Sequence, residues 1–308
     1  MESSLQEKKV QVLMPTYNGE KYIIEQIRSI EEQTYSNITL LIRDDLSTDN
    51  TVGLVDAIDG KRTFIRGTSN LGVIQSFLEL LRISDNVDYY ALADQDDVWK
   101  ADKLERAIHF LKQHDDNIPL LYCAGVDVVD DNLTFKGYLS AKKKGPSFEN
   151  ALVQNIATGC TIVMNKAARD LINSVKPTSN KIVMHDWWFY LIVSSFGKVI
   201  YDKESVMYYR QHSNNTFGSG YSSLQRWIPR LKRFIKKKEA GINIEQIVEF
   251  NRLFGDKLDE DKHKLILEMI YTRESFFKRV KFSMGNKVSR QNFTENLVCH
   301  MLLISNKW

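Results

Sequence analysis

Between Val10 and Trp99, short apolar runs alternate with helical patterns, and three of the four runs stop at a polar cluster. Val10–Met14 is apolar, ends at Pro15 and is followed by Thr16, Tyr17 and Asn18. Asn18–Gly19 is a turn signal and Glu20–Glu32 has helical character. Ile38–Arg43 reads as a second strand, stopped by Asp44–Asp45, and Ser47–Thr48–Asp49 offers a cap for a helix through Ile58. Thr63–Arg66 predicts a third strand, Gly72–Ile83 a helix, and Tyr89–Ala93 a fourth strand stopped by Asp94. This alternation implies an α/β fold with a mostly parallel sheet wrapped by helices. Such sheets bind ligands at the carboxyl ends of their strands, so the three clusters are expected to converge on one rim.

The remaining composition narrows the class. A hydrophobic share of 43% in 308 residues excludes a disordered chain and a disulfide-stapled mini-protein. Cys123, Cys160 and Cys299 form no CxxC pair, which argues against a zinc ribbon or redox motif. The N-terminal MESSLQEKK has no apolar signal core. The longest apolar stretch, Trp187–Phe196, is interrupted by Ser194 and Ser195 and falls short of the roughly 20 residues of a membrane span. A cytoplasmic protein is expected, touching a membrane at most from its inner face. Charge is uneven: from Tyr221 onward there are 18 Lys plus Arg against 10 Asp plus Glu, whereas the whole chain carries only +3. The Ser-, Gly- and Asn-rich stretch 213–223 marks the boundary. The expected division is a body over 1–220, with halves about 9–100 and 101–220, and a basic, helical extension over 221–308.

The acidic clusters carry the chemistry. Asp94, Asp96 and Asp97 stand in DQDDVW directly after a strand. If the strand continued, alternation would put Asp94 and Asp96 on one side. Two carboxylates aimed at one point repel unless a cation sits between them, and oxygen ligands suit Mg²⁺ or Mn²⁺ beside a diphosphate. The same residues also read as a turn and an N-cap for a helix over Lys100–Lys112. Asp44–Asp45 reads either as a turn with a cap or as a carboxylate that accepts the N3–H of a pyrimidine; uracil and thymine both offer that donor.

Taken in order, VLMPTYNGEKYI at 12–23, LLIRDDLSTDNT at 40–51, NLG at 70–72, ALADQDDVW at 91–99, ATGCTIVMN at 157–165, HDWWFYLI at 185–192 and YYRQHSNN at 208–215 resemble family 2 glycosyltransferases of the GT-A fold. The resemblance covers about residues 9–216, and the variant looks most like bacterial rhamnosyltransferases of surface polysaccharides. It implies that Pro15, Thr16 and Tyr17 line the nucleotide pocket, with Asn18, Asn70, Gly72, Asp94 and Gln95 completing the donor site. Asp44 or Asp45 would hold the base. Asp94 and Asp96 would bind the metal, with Asp97 in support and His212 near the metal or diphosphate. Asp186 would be the general base, in an apolar setting that raises its pKa. His185 stands where the family usually has the first of two acids. Gly159, Cys160, His185 and Trp187 would border the acceptor, with Cys160 a buried small residue rather than a nucleophile. The implied reaction is inverting and metal-dependent. Its best donor is dTDP-L-rhamnose, and its acceptor a glycan or lipid-linked glycan. A UDP-hexose or UDP-N-acetylhexosamine transferase is the alternative, and a non-catalytic nucleotide-binding scaffold a further one. A nucleotidyltransferase would need a Gly-rich basic phosphate loop, and MPTYNGEKY has one Gly.

Arg226–Lys238, RWIPRLKRFIKKK, has seven basic residues and no acid. Trp227, Ile228, Leu231, Phe234 and Ile235 fall on one helical face, with Pro229 in the first turn. This pattern suits either an interfacial membrane segment or a helix packed on the body with a solvated basic face. Nucleic acid is not an expected partner, because the rest of the chain is acidic and carries no recognition motif. Helices are expected over Ile242–His300, packed on the body or on a second copy in a homodimer.

Overall fold

The computed structural model describes residues 8–60, 62–139, 144–211 and 242–308. His212, the stretch 213–223 and the basic segment 226–238 lie outside the described residues.

The N-terminal alternation is realised as β1 (Val10–Thr16), α1 (Ile23–Glu31), β2 (Ile38–Asp44), α2 (Thr51–Ala57), β3 (Arg62–Arg66), α3 (Gly72–Ile83) and β4 (Tyr89–Leu92). There follow β5 (Val98–Trp99), α4 (Lys103–Leu111), β6 (Leu120–Val129), β7 (Phe135–Leu139), α5 (Phe148–Ala151), β8 (Val163–Asn165), α6 (Lys166–Asn173), α7 (His185–Phe196) and β9 (Lys198–Arg210). The strands form one sheet in the order β3-β2-β1-β4-β8-β6-β9-β5, with β7 beside β6. The expected α/β class holds. Strands β3, β2, β1 and β4 are parallel. Beyond β4 the sheet is mixed: β8 runs antiparallel to β4 and β6, whereas β9 is parallel to β6.

Period-2 alternation divides the strand side chains between two cores. Leu13, Leu41, Tyr90, Leu92 and Leu121 face one side and pack with Phe77, Leu80 and Leu81 of α3 and with α7. Val12, Met14, Leu40, Ile42, Ala91 and Tyr122 face the other and pack with Ile23, Ile27 and Ile30 of α1 and with Leu104, Ile108 and Leu111 of α4. Both faces are covered, which is why the N-terminal strands read as continuous apolar runs.

Three local expectations change. The fourth strand ends at Leu92, so residues 93–97 leave the pleat and strand alternation does not govern Asp94 and Asp96. The helix expected over Lys100–Lys112 is shorter, Lys103–Leu111 with Asp102 at its N-cap, and Asp97 does not cap it. The run from Gly159 to Met164, whose apolar pattern reads as a strand, opens as a 3₁₀ turn over Gly159–Thr161 before β8 begins.

The described part of the extension is helical: α8 (Ile242–Phe254), α9 (Glu260–Tyr271), α10 (Phe276–Met284) and α11 (Phe293–Ile304). Helix α8 packs on the body. Trp188 of α7 meets Phe250 edge-on at 5.9 Å, and Phe254 lies beyond at 6.5 Å. Gln246 and Glu249 accept the backbone N–H groups of Val183 and Thr178 at 2.9 and 2.8 Å. Burying an aromatic or aliphatic side chain of this size is worth about 1.5–3 kcal/mol, which anchors α8 where it stands.

Candidate active site

The parallel register brings the three clusters together. Thr16 ends β1 opposite Asp44 at the end of β2, and the pairing continues with Asp45 N–H donating to the Thr16 carbonyl at 2.8 Å. Side chains then tie the loops across. Thr16 Oγ1 donates to Gln95 Oε1 at 2.6 Å, Tyr17 N–H donates to the same oxygen at 2.9 Å, and Gln95 Nε2 returns a bond to the Tyr17 carbonyl at 3.0 Å. Asn18 holds a left-handed backbone (φ 49°), and its Oδ1 accepts Thr48 N–H at 2.8 Å. Gly19 must be small, because a Cβ there would stand 2.3 Å from Gln95 Oε1.

The two aspartates after β2 have different partners. Asp45 is buried and paired with the Arg43 guanidinium. It also accepts Leu71 N–H and Gly72 N–H, both at 2.8 Å. Arg43 reaches on to the Ser69 carbonyl at 3.1 Å. The Arg43–Asp45 pair thus builds the 67–72 turn, in which Asn70 Oδ1 accepts Gly72 N–H at 3.1 Å and Gly72 adopts φ 72°. Despite burial, those donors hold the Asp45 carboxyl below its ordinary range. Asp44 bonds locally: it accepts Ser47 N–H at 3.0 Å and Ser47 Oγ at 2.5 Å.

Behind the 94–97 loop lies a buried charge cluster. Asp97 accepts the backbone N–H of Arg210 at 3.0 Å, and burial pushes its carboxyl well up. Carboxylate oxygens of Asp94 and Asp97 and the Cys160 sulfur lie within 4.8 Å of one another. Burial, then the negative charge of Asp96, then that of Asp186, push the Asp94 carboxyl up to about 7. Lys103 enters the cluster from α4. Its ammonium donates to the Cys160 carbonyl at 2.5 Å and sits 3.3 Å from the centre of the Trp99 ring. Burial lowers its pKa to about 7, opposed by the Asp97 and Asp94 charges among others. Arg210 closes this side: its guanidinium meets Glu25 at 2.6 Å and lies 4.4 Å over the Tyr22 ring.

A hard divalent cation suits part of this cluster. Asp94 and Asp96 are oxygen donors whose mutual repulsion a cation would relieve. The Asp97–Cys160 corner suits one less, because burial keeps the Cys160 thiol protonated and Lys103 already brings positive charge.

Asp186 stands in the first turn of α7, and its Oδ1 accepts Trp187 N–H at 2.7 Å. Burial raises its carboxyl to about 6, against hydrogen bonds from Trp187, Asn155 and Gly159. The Gly159 backbone approaches so closely that a Cβ would lie 2.9 Å from His185 Nε2 and 3.5 Å from Asp186 Oδ2. His185 is buried, stacked on Phe77 at 4.0 Å and neutral, since burial drives its pKa down to about 3. His185 and Cys160 are thus both buried behind the surface. Trp187 is half-buried, with its indole N–H on the Ala151 carbonyl at 2.7 Å. Trp188 is core.

The structure thus gathers Thr16, Tyr17, Asn18, Asp44, Asp45, Asn70, Gly72 and Gln95 on one rim, with Asp94 beside them and within electrostatic reach of Asp186. Sequence reasoning did not single out Lys103, Arg43, Asn155 or Arg210. Arg43 and Arg210 had a signal, their places in LLIRDDLSTDNT and YYRQHSNN.

The profile described as glycosyl transferase family 2 matches residues 11–172. The dTDP-rhamnosyl transferase RfbG of Shigella flexneri is 31% identical over 221 residues, 68% of this chain and 75% of that protein. The Escherichia coli UDP-Glc:alpha-D-GlcNAc-diphosphoundecaprenol beta-1,3-glucosyltransferase WfgD is 29% identical over 159 residues, 51% of this chain and 60% of that protein. The S. aureus TarS 1–349 structure in complex with UDP-GlcNAc superposes with a TM-score of 0.59 at 16% identity, covering 97% of this chain and 89% of that one.

Proposed function

Because the chain belongs to glycosyl transferase family 2, we propose that it moves L-rhamnose from dTDP-L-rhamnose onto a glycan or lipid-linked glycan in cell-surface polysaccharide synthesis. The chain is a glycosyltransferase of GT-A fold. The rhamnosyl reading is supported by the Shigella relative, at 31% identity over 68% of the chain. A UDP-hexose donor is the second reading, favoured by the shorter match to the E. coli glucosyltransferase.

The observation that carries the mechanism is Asp186, a half-buried carboxylate raised to about 6 beside the Asp94 rim. Asp186 takes the proton from an acceptor hydroxyl. The freed oxygen forms a bond to the anomeric carbon from the face opposite the diphosphate. The bond from that carbon to the diphosphate oxygen breaks, its electron pair leaves on dTDP, and the sugar inverts. Asp94 and Asp96 would hold Mn²⁺ or Mg²⁺, which neutralises the departing diphosphate when bound.

The base contact falls to Asp44. Both carboxylates accept on both oxygens, but Asp45 Oδ1 takes two donors, Arg43 and Leu71 N–H, beside the Gly72 N–H on Oδ2, whereas each Asp44 oxygen takes one donor, from Ser47. Each carboxylate oxygen has a further lone pair to accept a pyrimidine N3–H. Calorimetric titration of dTDP tests this. Asp44→Asn is expected to weaken dTDP binding by about 10- to 100-fold, the worth of a charge-assisted hydrogen bond, without a large fall in Tm. Unchanged affinity would move the base contact elsewhere.

A further inference from the structure

Helices α10 and α11 form an antiparallel hairpin, with Arg279 Nε on the Ile304 carbonyl at 2.8 Å joining the start of one to the end of the other. Each helix has an inward stripe: Phe282 on α10, Cys299 and Leu303 on α11. At about 100° per residue, Phe277 and Met284 fall opposite Phe282, and Leu297 and Met301 fall opposite Cys299 and Leu303, with Phe293 at their edge. These outward stripes are bare. Phe277, Met284 and Phe293 are 82%, 81% and 86% exposed, and Leu297 and Met301 are about half exposed. An apolar face of this size on a folded surface marks an interaction site.

Charge selects the occupant. From Phe276 to Trp308 the chain carries Lys278, Arg279, Lys281, Lys287, Arg290 and Lys307 against Glu295, and even with Glu274 and Glu268, which pair with Lys278 and Lys287, the surface keeps an excess of positive charge. Lys281 is exposed and lies on the same stripe as Phe277 and Met284, and exposed Lys278 adjoins Phe277. A second copy docked face to face would set these cations against themselves. The segment 226–238, with seven basic residues and no acid, is repelled in the same way. A surface both apolar and anionic satisfies the stripes and the charges together. We propose that the α10–α11 hairpin docks the protein on an anionic lipid surface, its phenylalanines and methionines in the acyl boundary and its lysines and arginines among the headgroups. The hairpin lies on the membrane and does not cross it. Helix α11 has 12 residues, about 18 Å, and no helix among the described residues is long and apolar enough to span.

Sedimentation of the full chain with phosphatidylglycerol–phosphatidylcholine vesicles and with pure phosphatidylcholine vesicles tests the proposal. Wild type is expected to pellet with the anionic vesicles and to remain in solution with the neutral ones. Phe277→Ser combined with Phe293→Ser removes side chains that make few core contacts. It is expected to keep the wild-type Tm and to lower the partition coefficient by about tenfold or more. Lys278→Glu with Lys281→Glu is expected to do the same and to abolish the lipid preference. Wild type left in solution with both vesicle types would overturn the proposal. So would a phenylalanine variant that partitions like wild type, which would place the contact elsewhere. A wild-type dimer that the same variant turns into a monomer, without vesicle binding, would overturn it in favour of a second copy.

Discussion

Asp186→Asn is expected to lower sugar transfer by about 10²- to 10⁴-fold while dTDP affinity stays within about twofold of wild type, because a positioned base contributes on that scale and an amide cannot take the acceptor proton. The substitution is nearly isosteric. Asn keeps an oxygen for the Trp187 N–H, so α7 should retain its first turn. The pH dependence separates a base from a merely structural residue. Asp186 must be ionised to accept a proton, and burial raises its carboxyl to about 6. Turnover of the wild type should therefore be level above pH 6 and fall about tenfold per pH unit below it. The residual activity of the variant should lack that acid limb. Full turnover in Asp186→Asn, or an unchanged acid limb, would remove Asp186 from the reaction.

Lys103→Met should produce the largest loss of stability. Methionine fills a similar volume but takes away the Nζ donor to the Cys160 carbonyl and, below about pH 7, the positive charge beside Asp94 and Asp97. Removing one partner from a buried charged cluster costs about 3–5 kcal/mol, which corresponds to a fall in Tm of roughly 10 °C. The sign with pH follows from the carboxyls. Asp94 stands at about 7 in the folded protein against an ordinary 3.8, and losing Lys103 moves it further up. A carboxyl with a raised folded pKa destabilises most above that pKa, and the penalty is relieved as pH falls through it and the proton binds. Lys103, lowered to about 7, costs the wild type stability as pH falls toward 7, a cost the variant lacks, so both groups make the Tm gap between variant and wild type widest above pH 7 and narrower toward pH 5. A gap that is absent, or independent of pH, would show that Lys103 is a packing residue only.

The sequence revealed the sheet better than the site. Helix α3 falls on Gly72–Ile83 as expected, and β1 to β4 begin or end within two residues of the apolar runs, because strands buried on both faces leave an unbroken apolar signature. The convergence of Thr16, Asp44 and Asp94 was legible for the same reason: parallel strands put their carboxyl ends on one edge. Contacts distant in sequence were not legible. Asp44 and Asp45 are adjacent and chemically alike, and they are told apart by the Leu71 and Gly72 amides, more than twenty residues further on. Nothing in the sequence marks Lys103 as buried, because lysine is mostly solvated. Its burial depends on Trp99 and on the 3₁₀ turn at Gly159–Thr161, which the apolar pattern of 159–164 had disguised as strand. Likewise, α11 is apolar on most of its circumference, so its sequence could not show which face the body leaves uncovered.

In the proposed reaction the Asp44 and Asp94–Asp96 rim holds a deoxythymidine-diphosphate sugar together with a divalent cation. Calorimetric titration of dTDP-L-rhamnose, UDP-glucose, UDP-galactose and UDP-N-acetylglucosamine, each with and without Mn²⁺, tests it directly. Tight binding of dTDP-L-rhamnose alone, lost when Mn²⁺ is withheld and lost in Asp96→Ala, is the expected result. Preference for a UDP-sugar, or binding indifferent to both Mn²⁺ and Asp96, would contradict it.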